Sequence, residues 1–242
     1  MSTATLARHG YNLLRRQRLD PRQTARYFDD FVTMATDDTT GDPIEWEIVQ
    51  DAGATAQIGA LDGLGGWFQV CCDGDDNDEC YAASRSEAFI FNTTKELLFE
   101  ARVKLTAGST DGKGTFVVGL SDTVAANSIL DAGTLMASFD GAIFCLEEDA
   151  EVSFTTSNAS SQTRTATAYS WTNGDTVRLG FYYSPGDGTT GNVTPIVNGA
   201  EGTTHDITIS GLEEMHILLG CKTHEGAEQK LEVDWCEVIQ RR

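Results

Sequence analysis

Two acidic patterns in this chain could do chemistry. Near the C-terminus, E-V-D-W-C-E sets Glu232, Asp234 and Glu237 along one predicted strand. Paired carboxylates on a rigid strand are the equipment of glycoside hydrolysis: one is nucleophile or base, the other acid. The second pattern is D-G-D-D-N-D-E, in which Asp73, Asp75, Asn77 and Glu79 recur at alternate positions. Hard oxygen donors at that spacing suit Ca²⁺, although the glycine and distal glutamate of an EF-hand are missing.

Strand periodicity decides whether the first pattern can work. Side chains alternate between faces, so Glu232 and Asp234 share a face and Glu237 takes the other, unless a bulge intervenes. The expectation is a terminal strand that buries Leu231, Val233 and Trp235 and leaves its acids in water. No catalytic residue is assigned on this reading. The histidines His9, His205, His216 and His224 are scattered. There is no nucleophile triad, phosphate loop or dinucleotide fingerprint. Six cysteines are present without CxxC spacing, so zinc is not expected. Four of them, in apolar strand patterns, read as small hydrophobes that stay reduced.

Aromatic residues offer a different chemistry. Trp171 and Tyr169 lie beside the turn signal Asn173-Gly174-Asp175, where an exposed ring can stack on a sugar. Trp46, Trp67 and Trp235 fall inside apolar runs and read as core.

The elements that must position these residues are strands. With 242 residues, 40% of them hydrophobic, 24 glycines and only 4 prolines, the composition suits strands and tight turns. Alternation is clearest in TVRLGFYY, where Val177, Leu179, Phe181 and Tyr183 point one way. In TFVVGLSD, Phe116, Val118 and Leu120 share a face. FEARVKL, Phe99–Leu105, alternates apolar with charged. About a dozen short strands separated by turn signals predict a two-sheet sandwich or a barrel. Sustained helical spacing is absent from the body, apart from one turn expected near Thr123–Leu130. No apolar run is long enough for a membrane helix, and no apolar leader is recognisable at the N-terminus.

Charge divides the chain in two. The net charge is −20, yet residues 1–27 hold six arginines and the single acid Asp20. Residues 1–26 therefore read as a basic arm and residues 27–242 as one acidic β domain. Within the arm, Arg8, Tyr11, Leu13, Leu14, Arg15, Arg16, Arg18, Arg22 and Arg26 are the candidate partner-binding residues. Thr5–Leu19 could form a short helix, too thinly apolar to order alone. An acidic body disfavours nucleic acid and anionic membranes.

The strand order resembles the concanavalin A-like, laminin-G-like jelly roll. FDDF, GGWFQV, FEARVKL, TFVVGLSD, GDTVRLGFYY and LEVDWCEV carry the resemblance, over roughly residues 27–240. It implies an all-β, two-sheet antiparallel sandwich. Laminarinase-like enzymes of this fold carry Glu-x-Asp-x-x-Glu, which Glu232, Asp234 and Glu237 match. In that family the motif follows the FEARVKL-like strand closely; here it comes at the end of the domain. A fold does not fix an activity. By likeness to tailed-phage capsid decoration proteins, the implied role is a non-enzymatic virion protein, made in the host cytoplasm and placed on the capsid surface. The implied partners are the major capsid protein or another shell protein, and sister subunits, with a trimer favoured. No cofactor is expected apart from Ca²⁺ as a candidate. A carbohydrate-binding module or fibre head is the alternative, and a glycoside hydrolase ranks third.

Overall fold

The structure is a computed structural model. It describes residues 22–36, 43–50, 57–61, 66–72, 75, 77–108, 115–126, 138–146, 151–159, 161–223 and 227–242. Among them there are sixteen strands and no helix. In chain order these are β1 (Thr24–Asp29), β2 (Trp46–Gln50), β3 (Gln57–Leu61), β4 (Trp67–Cys72), β5 (Glu79–Ser84), β6 (Leu97–Ala107), β7 (Thr115–Ser121) and β8 (Gly141–Leu146). There follow β9 (Glu151–Asn158), β10 (Ser161–Ser170), β11 (Thr176–Pro185), β12 (Thr190–Val197), β13 (Ala200–Glu201), β14 (His205–Thr208), β15 (His216–Lys222) and β16 (Gln229–Arg241). The helical turn expected near Thr123–Leu130 lies partly outside the described residues, and Thr123 to Ala126 form no helix.

The strands make two antiparallel sheets. The larger has nine strands, ordered β13-β12-β11-β6-β16-β4-β3, with β1 added beside β16 and β14 beside β12. The smaller has seven, ordered β10-β9-β8-β7-β15-β5-β2. Period-two alternation builds the layer between them. Leu97, Phe99, Ala101, Val103 and Leu105 of β6 belong to the same core cluster as Phe116, Val118 and Leu120 of β7. Val177, Leu179, Phe181 and Tyr183 of β11 join it, as the alternation predicts. Phe181 stacks on Phe99 with centroids 5.2 Å apart, and Phe154 and Phe91 pack against it at 5.9 and 6.1 Å.

The smaller sheet is also buried on its other face. Tyr81, Val117, Phe139, Ile143, Cys145 and Leu218 form a second cluster there. Tyr81 lies across Gly220, where any Cβ would fall 2.4 Å from its ring. Beside it, Glu79 stands directly opposite Lys222, and Lys222 Nζ donates to Glu79 Oε1 at 2.7 Å. The Tyr81 hydroxyl donates to Glu79 Oε2 at 2.9 Å.

β16 is the longest strand and sits in the interior of the larger sheet. Its first half pairs with β4 and its second half with β1, while β6 runs along the other side. The changeover falls at a bulge: Val233 opposes Val103 and Trp235 opposes Arg102, so Asp234 is the extra residue. β1 begins at Thr24, so the boundary expected after Arg26 falls inside a strand.

All six cysteines are buried free thiols. Cys72 and Cys221 bring their sulfurs within 3.0 Å between the two sheets. Burial pushes the Cys221 and Cys236 thiols up. Cys71 is pushed up to about 12 by burial and then by the Glu228 carboxylate. Such groups stay protonated and are poor nucleophiles.

His205 is a buried titratable group with a measurable consequence. Its Nδ1 lies 3.2 Å from the Thr156 hydroxyl and its Nε2 2.8 Å from the Thr165 hydroxyl. Burial lowers its pKa, opposed by the Asp206 charge. A depressed histidine binds its proton more readily in the unfolded chain. Its neutral form therefore favours the fold above the ordinary histidine value of about 6.5, and that contribution fades as pH falls below it. Wild type should lose more melting temperature between neutral and mildly acidic pH than His205→Gln. Equal losses in the two proteins would show that His205 is not the titrating group.

Candidate functional site

The bulge at Asp234 reverses the expected facing of the acidic strand. Leu231 and Val233 point into the core, but Cys236 and Val238, not Trp235, continue the inward set. Glu237 thus joins Glu232 and Asp234 on the outer face, and Trp235 moves there with them. The acids are not in water either: Glu237 is only 2% exposed.

Each carboxylate of this row meets a cation. Lys104 Nζ lies 2.6 Å from Glu232 Oε2, Arg102 pairs with Asp234, and Arg26 Nε lies 2.5 Å from Glu237 Oε1. Glu100 stands directly opposite Glu237, is 1% exposed, and faces Arg178 at 3.7 Å. Arg102 also covers the half-buried Trp67 ring, 5.6 Å from its centroid. The row is a set of ion pairs tying β1, β16, β6 and β11 together. Its arrangement satisfies the one-face requirement of a carboxylate pair, yet the acids are committed to neighbouring cations.

The other expected residues are dispersed. Arg8, Tyr11, Leu13, Leu14, Arg15, Arg16 and Arg18 lie outside the described residues, as does Asp73. Arg22 and Arg26 are described, and Arg26 belongs to β1. Of the acidic loop, Asp75 and Asn77 are exposed, with Asn77 in the left-handed region at φ 70°. Glu79 leaves that set, because its carboxylate is buried with Lys222 and Tyr81. Among the described residues no group of three or more His, Cys, Asp or Glu side chains is placed to hold a metal.

The two aromatic candidates separate. Trp171 is 7% exposed and packs on Phe116 with centroids 6.4 Å apart. It belongs to the core, a correction to the exposed platform expected beside the turn. Trp171→Ala should therefore cost about 3–5 kcal/mol of stability, as other buried aromatic truncations do. Thermal melting reads it, and an unchanged melting temperature would return Trp171 to the surface.

Tyr169 lines an open cleft of about 330 Å³ between the edges of the two sheets. β10 contributes Thr165, Thr167 and Tyr169, β12 contributes Pro195 and Val197, the following turn contributes Asn198, and β13 contributes Glu201. The Tyr169 hydroxyl donates to Asp175 Oδ2 at 3.1 Å. Burial and this carboxylate raise its pKa, so the phenol stays neutral. A ring, hydroxyls, an amide and a carboxylate around an open cleft can meet the apolar faces and hydroxyls of a sugar. The sequence signal for Tyr169 was an aromatic ring beside a turn; the facing side of the cleft gave none.

No protein-family model matches the chain, and no curated protein matches it significantly. Solved structures do match along nearly its whole length. An endo-1,3-beta-glucanase from Streptomyces sioyaensis superposes with a TM-score of 0.62 at 12% identity, covering 91% of this chain and 97% of that one. The architecture is a concanavalin A-like sandwich. A Lotus tetragonolobus seed lectin gives 0.56 at 11% identity, over 90% and 99% of the two chains. The potassium-bound Emp46p carbohydrate recognition domain gives 0.55 at 11% identity, over 87% and 94%. Identities this low establish the shared concanavalin A-like fold alone; the neighbours include carbohydrate-recognition proteins and a glucanase.

Proposed function

We propose that this protein is a non-enzymatic structural protein of a virion shell, a capsid decoration protein that docks through its basic N-terminal segment. The observation that carries the reading is the root of that segment. β1 is hydrogen-bonded to β16, the interior strand of the larger sheet, and held there by the Arg26–Glu237 pair. A load on the preceding residues is thus delivered to the middle of the sandwich. The commitment of Glu232, Asp234 and Glu237 to cations supports a binding role over glycoside hydrolysis, and the acidic body is suited to face solvent. The partners on this reading are a major capsid or other shell protein and sister subunits.

The test is gel filtration with light scattering on the full chain and on a chain lacking residues 1–22. The cut must stop short of Thr24, because removing Arg26 would break its ion pair with Glu237. The full chain is expected to form a trimer or larger species that the shortened chain loses while staying folded. Assembly retained by the shortened chain would refute the reading.

The cleft at Tyr169 favours a second reading, a carbohydrate-binding module. It predicts glycan retention that Tyr169→Ala abolishes. A glycan array on both proteins tests it.

A further inference from the structure

Four apolar residues on the outside of the larger sheet are shut off from water. Leu98, Tyr182, Ile196 and Ile239 alternate with the core-facing residues of their strands and form a cluster of their own, each at most 3% exposed. Leu98 stands opposite both Tyr182 and Ile239. In the next row Glu100 and Glu237 stand opposite each other and are equally sealed. Farther along the same face of β6, Arg102 and Lys104 reach solvent. An antiparallel sheet with nothing over one face is polar and wet on that side. A face sealed at one end therefore has a cover there, and no described strand supplies it, since all sixteen are taken up in the two sheets.

The buried track begins at Thr24, the first residue of β1, which is 2% exposed. From there it crosses β16, β6 and β11 to Ile196 of β12, a span of about 19 Å at the usual strand spacing. Residues 1–21 join the sheet at that same point, where the Gln23 carbonyl accepts the Arg242 amide. They are long enough to cross, even as the short helix expected over Thr5–Leu19, which needs about 13 residues for the distance. Their composition matches what lies beneath. Leu6, Tyr11, Leu13 and Leu14 suit the apolar cluster, and Arg8, Arg15, Arg16 and Arg18 suit a pair of facing carboxylates, which repel unless cations are near. The other stretches outside the described residues start elsewhere. Residues 127–137 run between Val124 and Phe139, which pack on the smaller sheet, and 147–150 join two strands of that sheet. Residues 109–114 and 224–226 leave from the opposite end of β6 and β16, where Ala107 faces Gln229. Residues 37–42 are closed off by the Thr36–Pro43 bridge, and 51–56 and 62–65 flank β3 at the far edge.

We propose that residues 1–21 lie as a strap across the outer face of the larger sheet of their own chain, over Leu98, Tyr182, Ile196 and Ile239. The leucines of the strap face the sheet, and the arginines that do not approach Glu100 or Glu237 face out. The inference rests on the sealed face and not on the docking reading. It adds that the basic segment is seated on its own sandwich before any partner arrives.

The experiment replaces Leu13, or in a second sample Leu14, of the full chain by a residue bearing a benzophenone and illuminates it over a range of concentrations. The expected result is a link to peptides carrying Leu98, Tyr182, Ile196 or Ile239 within one chain, with a yield that does not change with dilution. Links to those peptides that join two chains would give the face to a second copy and overturn the proposal. So would the absence of links to them. Leu13→Asp with Leu14→Asp, which sets charge against the apolar cluster, should lower the melting temperature by about 5 °C and let an apolar dye bind the full chain. An unchanged melting temperature and dye signal would also overturn it. Docking is judged separately, by assembly on removal of residues 1–22. A chain whose assembly needs those residues but which gives no link within one chain keeps the docking reading and loses the strap.

Discussion

Lys222→Ala should destabilise the fold by about 3–5 kcal/mol, because it leaves a buried carboxylate without its counter-charge. Glu79 is fully buried and Lys222 nearly so, and they face each other across β5 and β15. Water cannot reach Glu79 to replace the lost ammonium. The pair itself is a different matter, since the desolvation of two charges offsets most of their attraction. Replacing the group together by apolar residues of similar shape, Glu79→Leu, Tyr81→Phe and Lys222→Met, should return stability to within about 1 kcal/mol of wild type. Urea denaturation of the single and triple variants checks both statements. If the triple variant is as unstable as Lys222→Ala, the explanation by an orphaned charge fails.

Phe181→Ala is the second large effect. The ring is fully buried and is the meeting point of Phe99, Phe154 and Phe91. It reaches from the larger sheet to Phe154 of the smaller. Truncation removes its transfer energy and leaves a cavity that three stiff rings cannot close, so about 3–5 kcal/mol should be lost. For a domain of this size that is a fall of about 10 °C in Tm. Phe181→Leu keeps much of the volume and should lose less than half as much. Equal losses from the two would mean that the site collapses around either side chain.

The architecture was readable because most strands alternate cleanly. In β11 and β6 every second residue is apolar, and the structure puts those residues in the core. The site was less readable, for reasons that lie in register. E-V-D-W-C-E contains no glycine to announce a bulge. The extra residue at Asp234 appears only when β16 is laid against β6, and that one residue carries Trp235 out and Glu237 onto the row. Glu79 looked like part of an acidic loop because its partner, Lys222, is distant in sequence. Arg26 looked like part of the arm for the same reason, with Glu237 at a separation of 211 residues. Local patterns report which face a side chain takes, not which distant charge waits opposite.

The position of β16 bears on how the chain is made. It is the last strand described, yet it fills the interior of the larger sheet, between β6 on one side and β4 and β1 on the other. During synthesis from the N-terminus, β1 has no partner until residues 236–241 leave the ribosome. Until then the nascent chain holds β6 and β4 apart with open edges between them, the kind of surface on which unfinished β proteins aggregate. Loops this long must close before any contact rewards them, so folding should be slow and largely post-translational.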